Sequence, residues 1–246
     1  MGRNIPKNSN FEIITKLNNK LFNSSEKDLL ENLELSLISS LKKLKVKSIN
    51  SLLIHNINNI NKSNYNIIFD WFESLKERKI VKRIGLSIYS PEDLNDVEIE
   101  KFQLLQIPFS IYDQRFSKDN LIGELCKKGI AIHLRSIFLQ GLILQKSELW
   151  PNNFSNEFKL HHHSFLESMK YSGLNVLEEL LKGPFLLDNV EAVLIGVTNF
   201  KEFNEILSLW LKLSDGDYSQ NSCKFKDWSW NNLDDIDPRK WNLYKK

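Results

Sequence analysis

The chain has 246 residues, 41% of them hydrophobic and 26% charged, which is enough apolar material to bury the core of one α/β domain. Its 33 Lys and Arg nearly balance 31 Asp and Glu, so no net field draws it to nucleic acid or to an anionic membrane, and neither partner is expected. No apolar run approaches the roughly eighteen residues of a membrane span, the start MGRNIPKNSN lacks the apolar centre of a secretion signal, and Cys126 and Cys223 lack metal-ligand spacing, so a cytoplasmic protein is expected.

In chain order, Phe11 to Leu17 reads as the first strand, nearly continuously apolar until Lys16. Ser24 and Ser25 with Asp28 open a long helix on which Leu29, Leu33, Leu37, Leu41 and Leu44 form one stripe. Ser51 to His55 is the second strand, and Asn64 to Lys79 is a helix carrying Ile68, Trp71, Phe72 and Leu75 on one face. Arg83 to Ile88 and Gln103 to Pro108 are further strands, with a helix start at Ser90-Pro91-Glu92-Asp93 between them. A helix over Ser117 to Lys128 closes at Gly129, and Ile130 to Ser136 is the fifth strand. Leu149 to Pro184 is an excursion with helices at His163 to Tyr171 and Val176 to Lys182. The sixth strand, Val193 to Val197, precedes a helix from Asn199 to Leu213. From residue 214 the pattern dissolves into a Trp-rich tail, residues 214–246, expected to pack on the domain of residues 1–213 through Trp228, Trp230 and Trp241.

Short apolar strands alternating with longer helices point to a parallel α/β fold, either an open doubly wound sheet or a closed barrel. No GxGxxG follows a strand and no GxxxxGK[ST] occurs, so the usual phosphate-binding loops are missing. Lys16 and His55 fall at the C-terminal ends of consecutive strands, which in a parallel barrel is the rim where chemistry is done. His133 reads as a satisfied strand residue. Adjacent helical side chains diverge by about 100°, so His161, His162 and His163 cannot converge well on one ion and no metal site is assigned.

The segments EIITKL, SLKKLKVKSINSLLIHN, WFESLKERKIVKRIGLSIYS, FQLLQIPFSIYDQR, CKKGIAIHLRSIFLQGLIL and VLIGVTNFKEFNEIL resemble, in order and spacing, the aldo-keto reductases over roughly residues 2 to 213. The resemblance implies a (β/α)₈ TIM-type barrel that reduces a small-molecule aldehyde or ketone, including a sugar-type carbonyl, with NADP(H). In that family an Asp, a Tyr, a Lys and a His form the site. Tyr donates a proton to the carbonyl oxygen, a cation lowers its pKa, and His orients the carbonyl. Lys16 matches the cation and His55 the orienting imidazole. The Asp and Tyr belong to a segment before the Thr-Lys strand, and Met1 to Ile5 resembles only the end of the helix between. The expectation is therefore an incomplete barrel of about six of eight strands, missing the first two, with no tyrosine placed to substitute.

By the same resemblance Ser87 and Gln106 would hold the nicotinamide carboxamide, although Ile88 replaces the Asn that usually follows the Ser. Arg135 stands where an aromatic usually stacks on the nicotinamide. Ser136, Leu139 and Gly141 lie where the pyrophosphate runs, Gly196, Val197 and Thr198 match the phosphate-binding turn, and Lys201 matches a partner for a 2′-phosphate, with Ile206 in place of a later Asn. The alternative is a truncated barrel without reductase activity, acting as a binding or interaction module.

Overall fold

The computed structural model describes residues 10–23, 25–55, 60, 62–95, 97–187, 189–216 and 224–241. The expectations resting on Met1 to Ile5, Ser24 and Cys223 lie outside these residues. Six strands are hydrogen-bonded in chain order, β1 (Ile14–Leu17), β2 (Ile49–Ile54), β3 (Val81–Ser87), β4 (Leu104–Pro108), β5 (Ala131–Arg135) and β6 (Val190–Val193). The order is open, with β1 and β6 as its ends. Each pairing from β1 to β4 is parallel, which βα alternation requires. The chain divides into two compact units, residues 1–107 with 125–132, and residues 108–124 with 133–246.

In the first unit β2 is buried along its whole length, with Leu52, Leu53 and Ile54 at 1% exposure or less, because a central strand is covered on both faces. Terminal β1 is only half-buried. The helix α1 (Glu26–Leu44) starts where Ser25 Oγ accepts the Asp28 amide, and it buries Leu29, Leu33 and Leu37. The helix α2 (Tyr65–Glu77) buries Ile68, Trp71, Phe72 and Leu75, the four positions its periodicity marks. Glu34 of α1 joins the two helices by accepting from Trp71 Nε1 at 2.8 Å and Arg78 Nη2 at 2.7 Å, and the Arg78 guanidinium holds its carboxyl below the usual range. The Ser90 start is a single 3₁₀ turn, Pro91–Leu94, closed by a capping box with Asp93.

In the second unit β6 ends at Val193, four residues before the expected end of the sixth strand. An end strand has one neighbour, and Val190-Glu191-Ala192-Val193 is correspondingly half-exposed rather than buried. The excursion folds into α4 (Asn156–Tyr171) and α5 (Val176–Lys182), α4 starting seven residues earlier than its sequence pattern indicates. The helix α3 (Leu121–Lys127) follows a kinked 3₁₀ turn, and α6 (Phe200–Ser214) leaves Phe200, Phe203, Leu207 and Leu211 exposed. The last helix, α7 (Leu233–Ile236), belongs to the tail. There Trp228 packs on His161 and Phe165, Trp230 on Phe158 and His161, and Trp241 on Phe154.

The buried face of α4 is Phe158, His162, Phe165 and Met169. His162 Nε2 donates to the Gln145 carbonyl at 2.7 Å, and Nδ1 accepts the Tyr112 hydroxyl at 2.6 Å, while the ring stacks on Trp150 with centroids 4.5 Å apart. Burial lowers its pKa from 6.5 to about 4; the Gln145 carbonyl and Glu148 oppose that shift, and His161 and His163 add to it. Between those two values the unfolded chain binds a proton that the folded chain refuses, so stability falls as pH drops through the window, by roughly 3 kcal/mol in all. His162→Gln keeps one donor and one acceptor but cannot titrate. Urea midpoints at pH 7 and pH 4.5 are expected to lie closer together in that variant than in the wild type, and equal separation would refute the assignment.

Candidate functional site

In the first unit, strand register brings four elements together. Lys16 lies opposite Leu53, Leu53 opposite Gly85, and Gly85 opposite Leu104, so these residues form one layer of one face. Side chains alternate along a strand, so two residues further on His55, Ser87 and Gln106 form the next layer of that face, with Ser87 opposite Gln106. Lys16 Nζ donates to Ser87 Oγ at 3.0 Å and so links the two layers. The expected cation and imidazole thus belong to one face at the carboxyl ends of β1 and β2.

Sequence reasoning missed Tyr89. Its hydroxyl is 3.0 Å from His55 Nε2, and the rings meet edge-on with centroids 5.7 Å apart. Tyr89 lies two residues past the end of β3, and its pairing with a residue 34 positions away has no local sequence signal. The Tyr89 and Ser90 amides both donate to Asp93 Oδ2, at 2.7 and 3.0 Å, which fixes the backbone that carries the phenol.

Ser87 and Gln106 are buried, at 0% and 1% exposure. Gln106 Oε1 has no hydrogen-bond partner among the described residues. A buried amide oxygen left without a donor costs about 1–3 kcal/mol, so this atom is an acceptor suited to a ligand N–H. Ile88, beside Ser87, is 1% exposed and serves the apolar core.

The second unit carries the other expected positions. Arg135 ends β5, with Nη1 donating to Ser136 Oγ at 3.4 Å. The following loop holds Ser136, Leu139, Gln140 and Gly141 at φ of 67°, 42°, 56° and 86°, a run of left-handed backbone that only Gly adopts freely. Leu139 is buried, so it could offer a ligand only its backbone. Gly196, Val197 and Thr198 are exposed before α6. There the Glu202 carboxylate already takes the donors that would meet an anion. The Thr198 amide donates to it at 2.8 Å, the Thr198 hydroxyl at 2.9 Å and Asn199 Nδ2 at 2.7 Å. The amide first and the hydroxyl next keep that carboxyl below its ordinary range. Lys201 is exposed.

His133 Nε2 meets Glu191 Oε1 at 2.8 Å across β5 and β6. The histidines of α4 point three ways: His161 to the Trp228 carbonyl, His162 to Gln145, and His163 towards Glu148 at 3.9 Å. Among the described residues no group of three His, Cys, Asp or Glu side chains converges as metal ligands would.

Compared with known proteins, residues 2–222 match the model of the family described as Aldo/keto reductase family. No curated protein sequence matches the chain at a significant level. Among solved structures, an aldo-keto reductase from Bacillus halodurans in its apo form superposes with a TM-score of 0.64 at 16% identity, over 87% of this chain and 69% of its own. Its holo form gives 0.63 at 16% identity, over 92% and 74%. A thermostable aldo-keto reductase in complex with the inhibitor epalrestat gives 0.62 at 18% identity, over 87% and 70%. At such identities the likeness establishes the fold, an α/β barrel type with parallel strands.

Proposed function

The chain belongs to the aldo/keto reductase family, and from that premise we propose that it is an oxidoreductase that uses NADP(H) to reduce the carbonyl of a small-molecule aldehyde or ketone, with sugar-type carbonyls the first to assay. The observation that carries this reading is Gln106 Oε1, buried opposite Ser87 and without a hydrogen-bond partner among the described residues. An amide oxygen of that kind suits the carboxamide N–H of a nicotinamide, so these residues fit the cofactor that the family generally uses. When bound, the reduced nicotinamide supplies the hydride that reduces the carbonyl carbon.

This chain's own residues act on the oxygen. The Lys16 ammonium, steadied by Ser87 Oγ, stabilises the negative charge that develops there, and His55 orients the carbonyl by hydrogen bonding. Arg135, Ser136, Leu139, Gly141, Gly196, Val197, Thr198 and Lys201 are assigned to the cofactor by family resemblance alone. At Thr198 a cofactor phosphate must displace the Glu202 carboxylate, which makes this the weakest of those contacts.

Fluorescence titration with NADPH and with NADH, followed by assays of aldehydes, ketones and aldoses at the reduced-nicotinamide absorbance, tests the proposal. Saturable binding with turnover is expected. Gln106→Leu is expected to weaken cofactor binding about tenfold, the worth of one buried hydrogen bond. Absence of both binding and turnover would leave the inactive-barrel alternative.

A further inference from the structure

We propose that Tyr89 is the proton donor of this site and that His55 is the group through which the proton is replaced, a phenol–imidazole relay at the carboxyl ends of β2 and β3. The inference rests on the reductase reading above and deepens it.

Reducing a carbonyl places a full negative charge on oxygen unless a proton arrives with the hydride, so the site requires a group that holds a transferable proton. The Tyr89 hydroxyl fits. It stands two residues beyond Ser87, the last residue of β3, Ser87 accepts from Lys16 Nζ, and the hydroxyl lies 3.0 Å from the imidazole. It is half-buried, so it is neither sealed in the core nor fully in solvent. Asp93 clamps the amides of Tyr89 and Ser90, so the phenol is carried on backbone already fixed before any substrate arrives. Tyr112 offers a contrast: its hydroxyl is fully buried and spent on His162, and burial drives its pKa well above the ordinary range. It serves packing.

The step balances as follows. As the carbonyl carbon is reduced by two electrons at the expense of the reduced nicotinamide, the C=O π pair becomes a lone pair on oxygen. That oxygen takes the Tyr89 proton as the phenolic O–H bond breaks. His55, whose own ring proton stays on Nδ1, takes a second proton from solvent at Nε2 and passes that proton to the phenolate, so the imidazolium returns to the neutral ring. Product alcohol leaves with one hydride and one proton added, and Tyr89 and His55 return to their starting forms. In the resting state the phenol donates to Nε2, which leaves the ring proton of His55 on Nδ1.

Tyr89→Phe tests the relay. The expected result is a loss of about 10² to 10³ in kcat with KM and the dissociation constant for NADPH within twofold of wild type, because a phenyl ring keeps the packing and removes the proton. ¹⁵N spectra of the imidazole give a second readout. The wild-type protein is expected to hold His55 as the Nδ1–H tautomer, and Tyr89→Phe to redistribute it. A variant as active as the wild type would overturn the relay and leave the reductase reading standing. A wild-type chain that reduces no carbonyl would overturn the reductase reading and the relay with it. Matching His55 spectra in the two proteins would overturn the phenol–imidazole pairing itself.

Discussion

Gly85→Ala is expected to destabilise the protein by at least about 3 kcal/mol, whereas the same change at an unhindered strand position is stabilising. The reason is contact. A methyl group at position 85 would overlap the Leu104 carbonyl oxygen and stand 2.7 Å from Leu53 Cδ2, so β3 could accept it only by parting from β4 or by displacing a leucine that is 0% exposed. Gly129 provides the control, because its φ of +78° is a backbone requirement and nothing lies within 4 Å of the added carbon. Gly129→Ala is expected to cost about 1 kcal/mol. Thermal or urea denaturation of the two variants decides the matter, and equal costs would show that the close approach of β3 to β4 is not what position 85 serves. The same substitution should disturb the site, since Ser87 and Tyr89 follow Gly85 along the chain and the register that aligns Ser87 with Gln106 begins at Gly85. A loss of cofactor binding alongside the loss of stability is the expected companion result.

How much of this was legible in the sequence depended on whether one residue's role could be read from its neighbours. The Ile68, Trp71, Phe72 and Leu75 face of α2 was, because all four are apolar at helical spacing and all four are buried. The start of α4 was not. Its buried face includes His162, a polar residue that breaks the apolar period, and its cap depends on Ser155, which is held by Asp235 from eighty residues away. The end of β6 was misplaced for a related reason. Leu194 to Val197 is as apolar as a strand, and the backbone still bonds at Leu194, but with one neighbouring strand the ladder stops at Val193. Lys16 and His55 were legible as ionisable groups closing apolar runs. Ser87 was legible as a cofactor residue, but its bond to Lys16 and that of Tyr89 to His55 were not, because they span 71 and 34 residues and depend on how the strands align, which no local pattern states. The occupation of the Thr198 turn by Glu202 was in principle readable, as a helix-opening Asn followed three residues later by Glu is a capping signal. Family resemblance gave that turn a phosphate, while the chain supplies a carboxylate of its own.

Lys16→Met is expected to lower kcat/KM for carbonyl reduction by about 10² to 10³, the range typical of removing one preorganised donor from a developing oxyanion. Methionine keeps most of the length and apolar stem of lysine and lacks the charge, so packing on half-buried β1 should survive. The effect is large because, in the proposed reaction, Lys16 acts on the transition state. A carbonyl oxygen carries a partial charge before reduction and a nearly full one during it, so an ammonium held by Ser87 contributes little to substrate binding and much to the barrier. The fall is therefore expected in kcat, with KM and NADPH affinity little changed. Lys16→Arg keeps the charge but spreads it over a planar fork that cannot place a point charge at the same spot, and should recover part of the rate. Ser87→Ala separates the two contributions of this pair. It removes the acceptor that fixes Lys16 while leaving the ammonium, so it should cost less than Lys16→Met, and combining the two changes should cost little more than Lys16→Met alone. Additive losses would mean that Ser87 serves the cofactor carboxamide independently of Lys16, and a wild-type rate in Lys16→Met would remove the ammonium from the reaction altogether.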